Sequence, residues 1–279
     1  MIIDFHTHTF PDKIAAATID KLKQASHSIP FTGGTADELQ ASMKEADIDL
    51  SVLLPVVTNP VKAAAINDIS IAMTEKNGLI YFGGIHPDTP DWYEELGRIA
   101  ESGLKGIKIH PVYQNCDIDD IRFLRILERA AELDLIVSVH AGDDIGFPGV
   151  VRCSPAMAKN ALRQVGNVKL VLAHMGGWKN WDQVKEHLVD TNAWIDTSFA
   201  LGEIPDLGDG YYTPESKKLL SEEEFCELVR LFGSERVLFG TDSPWGPQKK
   251  NKADILALPL TAEEKKNILG ENAKKLLQI

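Results

Sequence analysis

The sequence predicts an α/β fold in which eight parallel strands close into a (β/α)₈ barrel. Short apolar, β-branched runs alternate with helix-like segments along the 279 residues. Such alternation is typical of a parallel sheet covered by helices. Eight strand–helix units in this length favour a closed barrel over an open doubly wound sheet, which usually has about six strands and a glycine-rich loop after the first.

The elements follow from these runs in chain order. The predicted strands are Ile2–Phe5, Leu50–Leu54, Ile80–Gly84, Gly106–Ile109, Leu135–Val139, Lys169–Ala173, Ala193–Asp196 and Val237–Gly240. The predicted helices are Lys13–Ala25, Ala36–Ala46, Pro60–Lys76, Asp91–Ser102, Ile118–Asp134, Ser154–Val165, Trp181–Val189 and Glu222–Phe232. A final helix is expected near Thr261, where Thr-Ala-Glu-Glu has the pattern of a capping box.

The chain is expected to form one domain over residues 1–279, because no internal repeat or low-complexity linker divides it. Its longest irregular stretch is Gly202–Thr213, after the seventh strand, and contains the pair Tyr211 and Tyr212. A loop of this length is often functional. We therefore expect it to lie over the mouth of the barrel.

Composition and charge exclude several classes of partner. The net charge is −12, and no cluster of lysine or arginine stands out, so we expect neither nucleic acid nor a membrane surface as a partner. No apolar run approaches the ~20 residues that span a bilayer, and we expect no signal peptide. Cys116, Cys153 and Cys226 lie far apart in the sequence. We expect them to be reduced and buried, as in a cytoplasmic protein.

Polar residues collect where the predicted strands end. Of eight histidines, His27 and His187 fall in or beside helices and are expected on the surface. The other six follow strands and are joined by one aspartate after strand eight: His6, His8, His86, His110, His140, His174 and Asp242. In barrels of this kind, polar residues at the carboxyl ends of the strands carry the chemistry. The sequence therefore predicts an active site at that end.

Spacing points to a metal site. Side chains alternate along a strand, so His6 and His8 share a face. Imidazoles with one carboxylate suit Zn²⁺, Fe²⁺, Co²⁺ or Mn²⁺, and a catalytic zinc keeps an open position for water. Together with His140 and Asp242, which follow strands five and eight, this pair provides such a ligand set.

Five motifs together resemble the amidohydrolase superfamily, in particular its amidohydrolase-2 branch of aminocarboxymuconate-semialdehyde decarboxylase-like hydrolases and decarboxylases. They are DFHTH, VHAG, LAHMGG, FGTDSPW and ILGENAKKLL, and the similarity covers nearly the whole chain. The resemblance implies metal ligands at His6, His8, His140 and Asp242. It also implies that Asp242 handles a proton and that His174 is a nearby catalytic histidine. A homodimer is suggested by the resemblance alone.

The predicted activity is hydrolysis of a small, carboxylated molecule by water activated on one divalent metal. Zinc is the first expectation for this metal, and manganese, iron and cobalt are the alternatives. Such a metal lowers the pKa of bound water to about 7. Asp242 would take the water proton, and His174 would polarise a carbonyl or shuttle a proton. Non-oxidative decarboxylation at the same mononuclear site is the alternative function. A catalytically silent ligand-binding barrel is disfavoured, because the ligand and proton-transfer set is complete.

Six further residues are candidates for substrate binding: Lys108, His110, His86, Arg152, Trp178 and Trp245. Lys108 shares a strand face with His110 and would bind a substrate carboxylate or pair with an acid. The alternative is a carbamylated Lys108 that bridges two metals. Arg152 is either an anion anchor or a surface residue. Asp196, which ends strand seven, is expected to orient a ligand histidine.

Overall fold

The computed structural model describes residues 1–74 and 77–279 and has the predicted alternation of parallel strands and helices. The strands are β1 (Ile3–Thr7), β2 (Leu50–Leu53), β3 (Leu79–Tyr81), β4 (Gly83–Gly84), β5 (Gly106–Ile109), β6 (Ile136–Val139), β7 (Lys169–Leu172), β8 (Trp194–Asp196) and β9 (Val237–Leu238). The predicted strand Ile80–Gly84 is thus present as two short strands, β3 and β4, separated by Phe82.

The strands pair in parallel in chain order, β1 to β3 in one sheet and β4 to β9 in the other. The last strand region meets the first, because the Phe5 amide donates to the Phe239 carbonyl oxygen at 2.7 Å and Thr7 forms a parallel bridge with Ser243. The Phe82 amide donates to the Leu53 carbonyl oxygen at 2.9 Å and continues the sheet between β3 and β4. The predicted (β/α)₈ barrel is therefore confirmed.

Two apolar layers hold the barrel. Outward-facing side chains of the strands, such as Val137 and Leu170, pack against the surrounding helices in the large core. Ile136 and Val171 alternate with them and form a second cluster with Phe5. Because side chains alternate along each strand, the two layers leave the carboxyl-terminal inward positions free for polar residues.

The helices are α1 (Asp12–Ser26), α2 (Ala36–Ala46), α3 (Ala63–Met73), α4 (Trp92–Glu101), α5 (Ile121–Glu132), α6 (Pro155–Val165), α7 (Trp181–His187), α8 (Glu222–Phe232), α9 (Gln248–Ala257), α10 (Ala262–Lys266) and α11 (Asn272–Leu277). Within residues 1–74 and 77–279, no helix has the length and apolar character needed to cross a bilayer.

Two predicted helices begin later in the structure, and one helix was not predicted. The predicted helix Pro60–Lys76 begins with a 3₁₀ turn, Pro60–Lys62, before α3, and its predicted end at Lys76 lies outside the described residues. α5 begins at Ile121 rather than Ile118, because Asp120 accepts the Arg122 amide hydrogen bond at 2.9 Å and caps the helix there. α9, whose sequence is largely polar, was not predicted.

The predicted capping box is present at the start of α10, where Thr261 and Glu264 bond to each other's backbone amides. The loop predicted over the barrel mouth is bonded to the last residue of α1 and to the segment that follows it. Its Pro205 carbonyl accepts the Ile29 amide at 2.8 Å, and the Tyr212 hydroxyl donates to the Ser26 carbonyl at 2.5 Å.

Candidate active site

The end of β1 brings two imidazoles to the end of the eighth barrel strand. His6 Nε2 lies 3.1 Å from His8 Nε2. Asp242 Oδ1 lies 3.5 Å from the His6 nitrogen and 3.2 Å from the His8 nitrogen. All three side chains are buried or mostly buried. These atoms are close enough together to bind one ion.

The second nitrogen of each imidazole shows which atom carries the proton. His6 Nδ1 is 2.9 Å from Asp196 Oδ2, and His8 Nδ1 is 2.8 Å from the Leu54 carbonyl oxygen. Both oxygens only accept hydrogen bonds, so each Nδ1 is the donor and each Nε2 carries a lone pair. Two lone pairs and a carboxylate oxygen therefore converge. A bound cation would remove the repulsion between them, and these ligand types fit a divalent metal.

The surroundings of His6 and Asp242 favour the protonation states that can bind a metal, an unprotonated imidazole nitrogen and an ionised carboxylate. Burial and the charge of Lys108 lower the pKa of His6 to about 4, so its Nε2 stays unprotonated at neutral pH. Burial opposes ionisation of Asp242, but a hydrogen bond from His8 and positive charge on the two imidazoles would outweigh it and hold the pKa of that carboxyl well below its usual range; a divalent cation between neutral imidazoles would act in the same direction.

Asp196 supports the site from β8. Its Oδ1 accepts the amide hydrogens of His174 at 3.1 Å and of Ser198 at 3.0 Å, while its Oδ2 receives His6. The Met175 amide donates to the Asp196 backbone carbonyl at 2.7 Å. Together these bonds hold His174 and Met175 at φ 59° and 56°, in the left-handed region. Residues held in that region cluster at functional sites. The expected orienting contact of Asp196 with a histidine is present.

Gly240, just after β9, allows the close approach of these elements. A Cβ at this position would lie 2.9 Å from the His6 Cβ and 3.4 Å from the Ser198 Cβ. Any larger residue would push His6 away from Asp196. The glycine of the FGTDSPW motif is therefore a packing requirement of the site.

His140 and His174 form a second facing pair. His140 Nε2 is 3.0 Å from the Asp143 carbonyl oxygen, and His174 Nδ1 is 2.9 Å from the Ser198 carbonyl oxygen, so both nitrogens are donors. The remaining atoms, His140 Nδ1 and His174 Nε2, face each other at 3.1 Å. Burial lowers the pKa of both imidazoles. Two lone pairs in contact require a shared proton or a nearby cation.

Lys108 on β5 is buried beside the first group. Its Nζ lies 3.4 Å from His6 Nε2, and burial lowers its pKa to about 8. Among the described residues, no carboxylate forms an ion pair with it. The site thus holds an ammonium that lacks an anionic partner.

The ends of β5 and β6 contribute a further group of two histidines and one aspartate. His110 Nε2 lies 3.4 Å from Asp144 Oδ2, and His140 Nε2 lies 3.6 Å from the same oxygen. The two imidazole rings stack with centroids 4.1 Å apart. His110, predicted to bind substrate, is therefore packed against His140.

The other four predicted substrate-binding residues make contacts outside these groups. Arg152 pairs with Asp117 at 2.9 Å and with the Asn115 amide oxygen at 2.5 Å. His86 is buried, and its Nδ1 accepts the Asp88 amide at 3.1 Å. Trp178 is buried with its Nε1 donating to the Phe199 carbonyl at 3.0 Å. Trp245 lines a cavity of about 220 Å³ between α9 and the segment after β8. Their assignment to substrate stays a prediction.

Two residues of the site were missed in the sequence. The Ser198 hydroxyl lies 3.0 Å from both His6 Nδ1 and His174 Nδ1, and Asp144 contacts His110 and His140. Ser198 stands two residues after Asp196, so the alternation of side chains beyond that strand was a usable signal. Asp144 lies in an irregular loop, and no periodic pattern in the sequence marks it.

Comparison with known proteins adds two kinds of likeness. A curated relative, dihydroorotase of Helicobacter pylori (strain HPAG1), is 27% identical over 178 residues, which are 59% of this chain and 52% of that protein. The chain thus matches about half the length of this relative.

Solved structures match over nearly the whole chain. 5-Carboxyvanillate decarboxylase from Sphingomonas paucimobilis has a TM-score of 0.67 at 16% identity, covering 100% of this chain and 99% of that one. Dihydroxybenzoic acid decarboxylase from Polaromonas sp. JS666, with bound manganese and the inhibitor 2-nitroresorcinol, has a TM-score of 0.70 at 14% identity, covering 99% and 96%. At these identities the likeness shows a shared fold.

The family assignment rests on the sequence as a whole. The amidohydrolase family Amidohydro_2 matches residues 3–279, a span that includes every residue of the site described above. The resemblance inferred from the five motifs is thereby confirmed, and the chain belongs to the Amidohydro_2 amidohydrolase family.

Proposed function

We propose that the protein is a metal-dependent, non-oxidative decarboxylase of a small hydroxylated aromatic acid. The observation that carries the proposal is Lys108, a buried ammonium beside the converging donors and without an anionic partner among the described residues. An unpaired buried charge is costly, so a substrate carboxylate is its natural partner. Hydrolysis was the first expectation from the sequence. The fold likeness to decarboxylases favours the alternative.

We propose that one divalent metal is held by His6, His8, His140 and Asp242. The lone pairs of His6 and His8 and the ionised Asp242 support three of these ligands. For His140 the ligand atom would be Nδ1, because its Nε2 donates to a carbonyl. Imidazole and carboxylate suit zinc and manganese alike, and the manganese in a similar decarboxylase supports manganese. When bound, the metal would act as a Lewis acid on a substrate oxygen.

The chain's own residues account for the proton transfers. Lys108 Nζ binds the carboxylate that leaves. Asp242, ionised at rest, takes a proton from a substrate hydroxyl and delivers it to the ring carbon. As the bond between that carbon and the carboxylate breaks, its electron pair stays on the carbon and CO₂ departs. Solvent then returns one proton to the product hydroxyl, so one proton is consumed per turnover. His174 Nε2, unprotonated, serves as the relay for that last proton.

A second candidate function is hydrolysis of a cyclic amide that carries a carboxylate. The partial match to dihydroorotase favours it, and Lys108 would bind the carboxylate of such a substrate in the same way. In this case Asp242 would take a proton from water instead of from a hydroxyl.

The test is a panel of hydroxybenzoates and carboxylated cyclic amides given to protein reconstituted with Mn²⁺ or Zn²⁺. We expect CO₂ release, measured with ¹³C-carboxyl substrates, from at least one hydroxybenzoate. Lys108→Met should raise KM for that acid, whereas Lys185→Met, which removes a surface charge paired with Glu227, should not. Ring opening of a cyclic amide without CO₂ release from any acid would overturn the proposal in favour of the hydrolase.

A further inference from the structure

His110, His140 and Asp144 have the composition of a second metal site, and their ligand atoms lie close enough for one ion. All three are buried. The rings of His110 and His140 are nearly parallel, with 10° between their planes. The directions of the imidazole protons decide whether this group can bind a cation.

The protonated nitrogen of each ring is the one on the side of the Asp144 carboxylate. His140 Nε2 donates to the Asp143 carbonyl. His110 Nδ1 accepts the Tyr113 amide hydrogen at 3.4 Å, which leaves its Nε2 as the protonated nitrogen. These two Nε2 atoms are the ones that face Asp144 Oδ2, at 3.4 and 3.6 Å. A cation at this position would meet two N–H groups instead of two lone pairs.

Asp144 is itself held in place. Its Oδ1 accepts the Gly146 amide at 2.8 Å, and its carbonyl accepts the Phe147 amide at 3.0 Å. The turn therefore leaves Oδ2 directed at the two imidazoles. A carboxylate in this position attracts the N–H edge of each ring and repels the lone-pair edge.

Stacking limits the motion of the rings. Tyr113 stacks on His110 with centroids 3.9 Å apart, and His110 stacks on His140. A half-turn of the His140 ring would pass through orientations that break this column and would end with the lone pair turned toward Asp144. The carboxylate therefore favours the orientation in which His140 Nδ1 faces His174.

We propose that Asp144 is a positioning residue that holds His140 with Nδ1 toward the metal centre, and that the His110–His140–Asp144 group is not a second metal site. The proposal rests on the proposed metal centre. Groups that orient a ligand histidine typically contribute 10–100-fold to metal affinity. The Asp143 carbonyl accepts the His140 Nε2 proton, and Asp144, 3.6 Å from the same nitrogen, acts on it through its negative charge.

The test uses Asp144→Asn, which keeps an oxygen for the Gly146 amide but loses the charge. We expect its dissociation constant for Mn²⁺ or Zn²⁺, measured by chelator competition, to rise about tenfold. Saturating metal should still give the wild-type stoichiometry. The matched control is Asp119→Asn, which removes the same charge from an acid that bonds Asn160 and should bind metal as wild type does. Near-UV circular dichroism checks that both variants fold.

Two results would overturn the assignment. One is an Asp144→Asn variant with unchanged affinity. The other is a second equivalent of metal in the wild type that Asp144→Asn alone abolishes, which would make the group a metal site. If instead the decarboxylase proposal is wrong, metal-loaded wild-type protein will release no CO₂ from any acid. The difference in metal affinity between wild type and Asp144→Asn would still be expected.

Discussion

Two groups at the carboxyl ends of the strands each contain two histidines and one aspartate at similar spacing: His6, His8 and Asp242 in one, and His110, His140 and Asp144 in the other. They differ in the nitrogen that each histidine turns toward the carboxylate. In the first group it is the lone-pair nitrogen, because Asp196 and the Leu54 carbonyl take the other proton. In the second group it is the N–H.

The difference lies in the partners of the opposite nitrogen. A carbonyl or carboxylate beyond Nδ1 leaves Nε2 free to bind a metal, as for His8. An amide N–H beyond Nδ1, as for His110, makes Nε2 a donor. Residue type and burial alone therefore do not separate a metal site from an orienting group.

The largest expected effect is on metal content, which should fall when His6 of the first group is replaced and not when His110 of the second group is. Wild-type protein should carry close to one tightly held divalent metal per chain. His6→Ala should lose most of it, because the variant lacks the buried ligand that Asp196 orients. His110→Ala, equally buried, should keep it. Elemental analysis measures all three. If wild-type protein stays metal-free after incubation with Zn²⁺ or Mn²⁺, then neither group is a metal site and the proposed difference between them is wrong.

The next effect is on turnover and concerns the two carboxylates. Asp242→Asn should keep the fold and lose activity by roughly 10²–10⁴-fold, since the amide cannot carry the proton. Asp144→Asn at saturating metal should lose far less, because Asp144 acts through His140. Steady-state kinetics with added Mn²⁺ gives both values. An Asp242→Asn enzyme with a tenth of wild-type activity would remove Asp242 from its role.

A smaller effect sharpens the comparison between orienting carboxylates. Asp196→Asn should weaken metal binding by about 10–100-fold, because the amide cannot both receive His6 Nδ1 and accept the backbone amides of His174 and Ser198. Chelator competition measures the metal dissociation constants of Asp196→Asn and Asp144→Asn, and the two values show which carboxylate contributes more to metal affinity. If Asp196→Asn lost no more metal affinity than Asp144→Asn, the prediction that Asp196 is the stronger orienting group would be wrong.

The fold was predictable because local patterns and tertiary packing agree in it. Strand runs such as Gly106–Ile109 appear in the structure with the predicted bounds. The helix α9 could not be predicted, since its QKKNKADILA segment has no clear apolar face, and it lies against α2 through tertiary contact. Polar segments of this kind become helical through packing that the sequence does not display.

The site was predictable only as a set of residues at strand ends. His6 and His8 follow from the alternation of a strand, and Asp196 from its position at the end of another. Which imidazole nitrogen is free depends on carbonyls such as those of Leu54 and Ser198, which are distant in sequence from the histidines they contact. Asp144 is fixed by a turn, so no periodic signal marks it.

The smallest expected effect is the absence of a second metal, and it depends on the chemistry of Lys108. A bridge between two metals needs an anion, and an ammonium has no lone pair to donate. A neutral amine reacts with CO₂ to form a carbamate and release a proton, and the pKa of about 8 that burial gives Lys108 makes some neutral amine available. The charges of Asp196 and Asp242 oppose this reaction, because they favour the ammonium and would repel a carbamate.

We therefore predict that metal content stays near one per chain when the protein is reconstituted with or without bicarbonate, and that Lys108→Met behaves identically in this respect. With one metal, His174 remains an unligated neighbour of His140. With two, the facing lone pairs of these histidines would both become ligands, and His174 would no longer relay protons. Two metals roughly 3.5–4 Å apart, with a carbamate on Lys108 in a crystal structure and a bicarbonate-dependent second equivalent that Lys108→Met lacks, would establish the binuclear site instead.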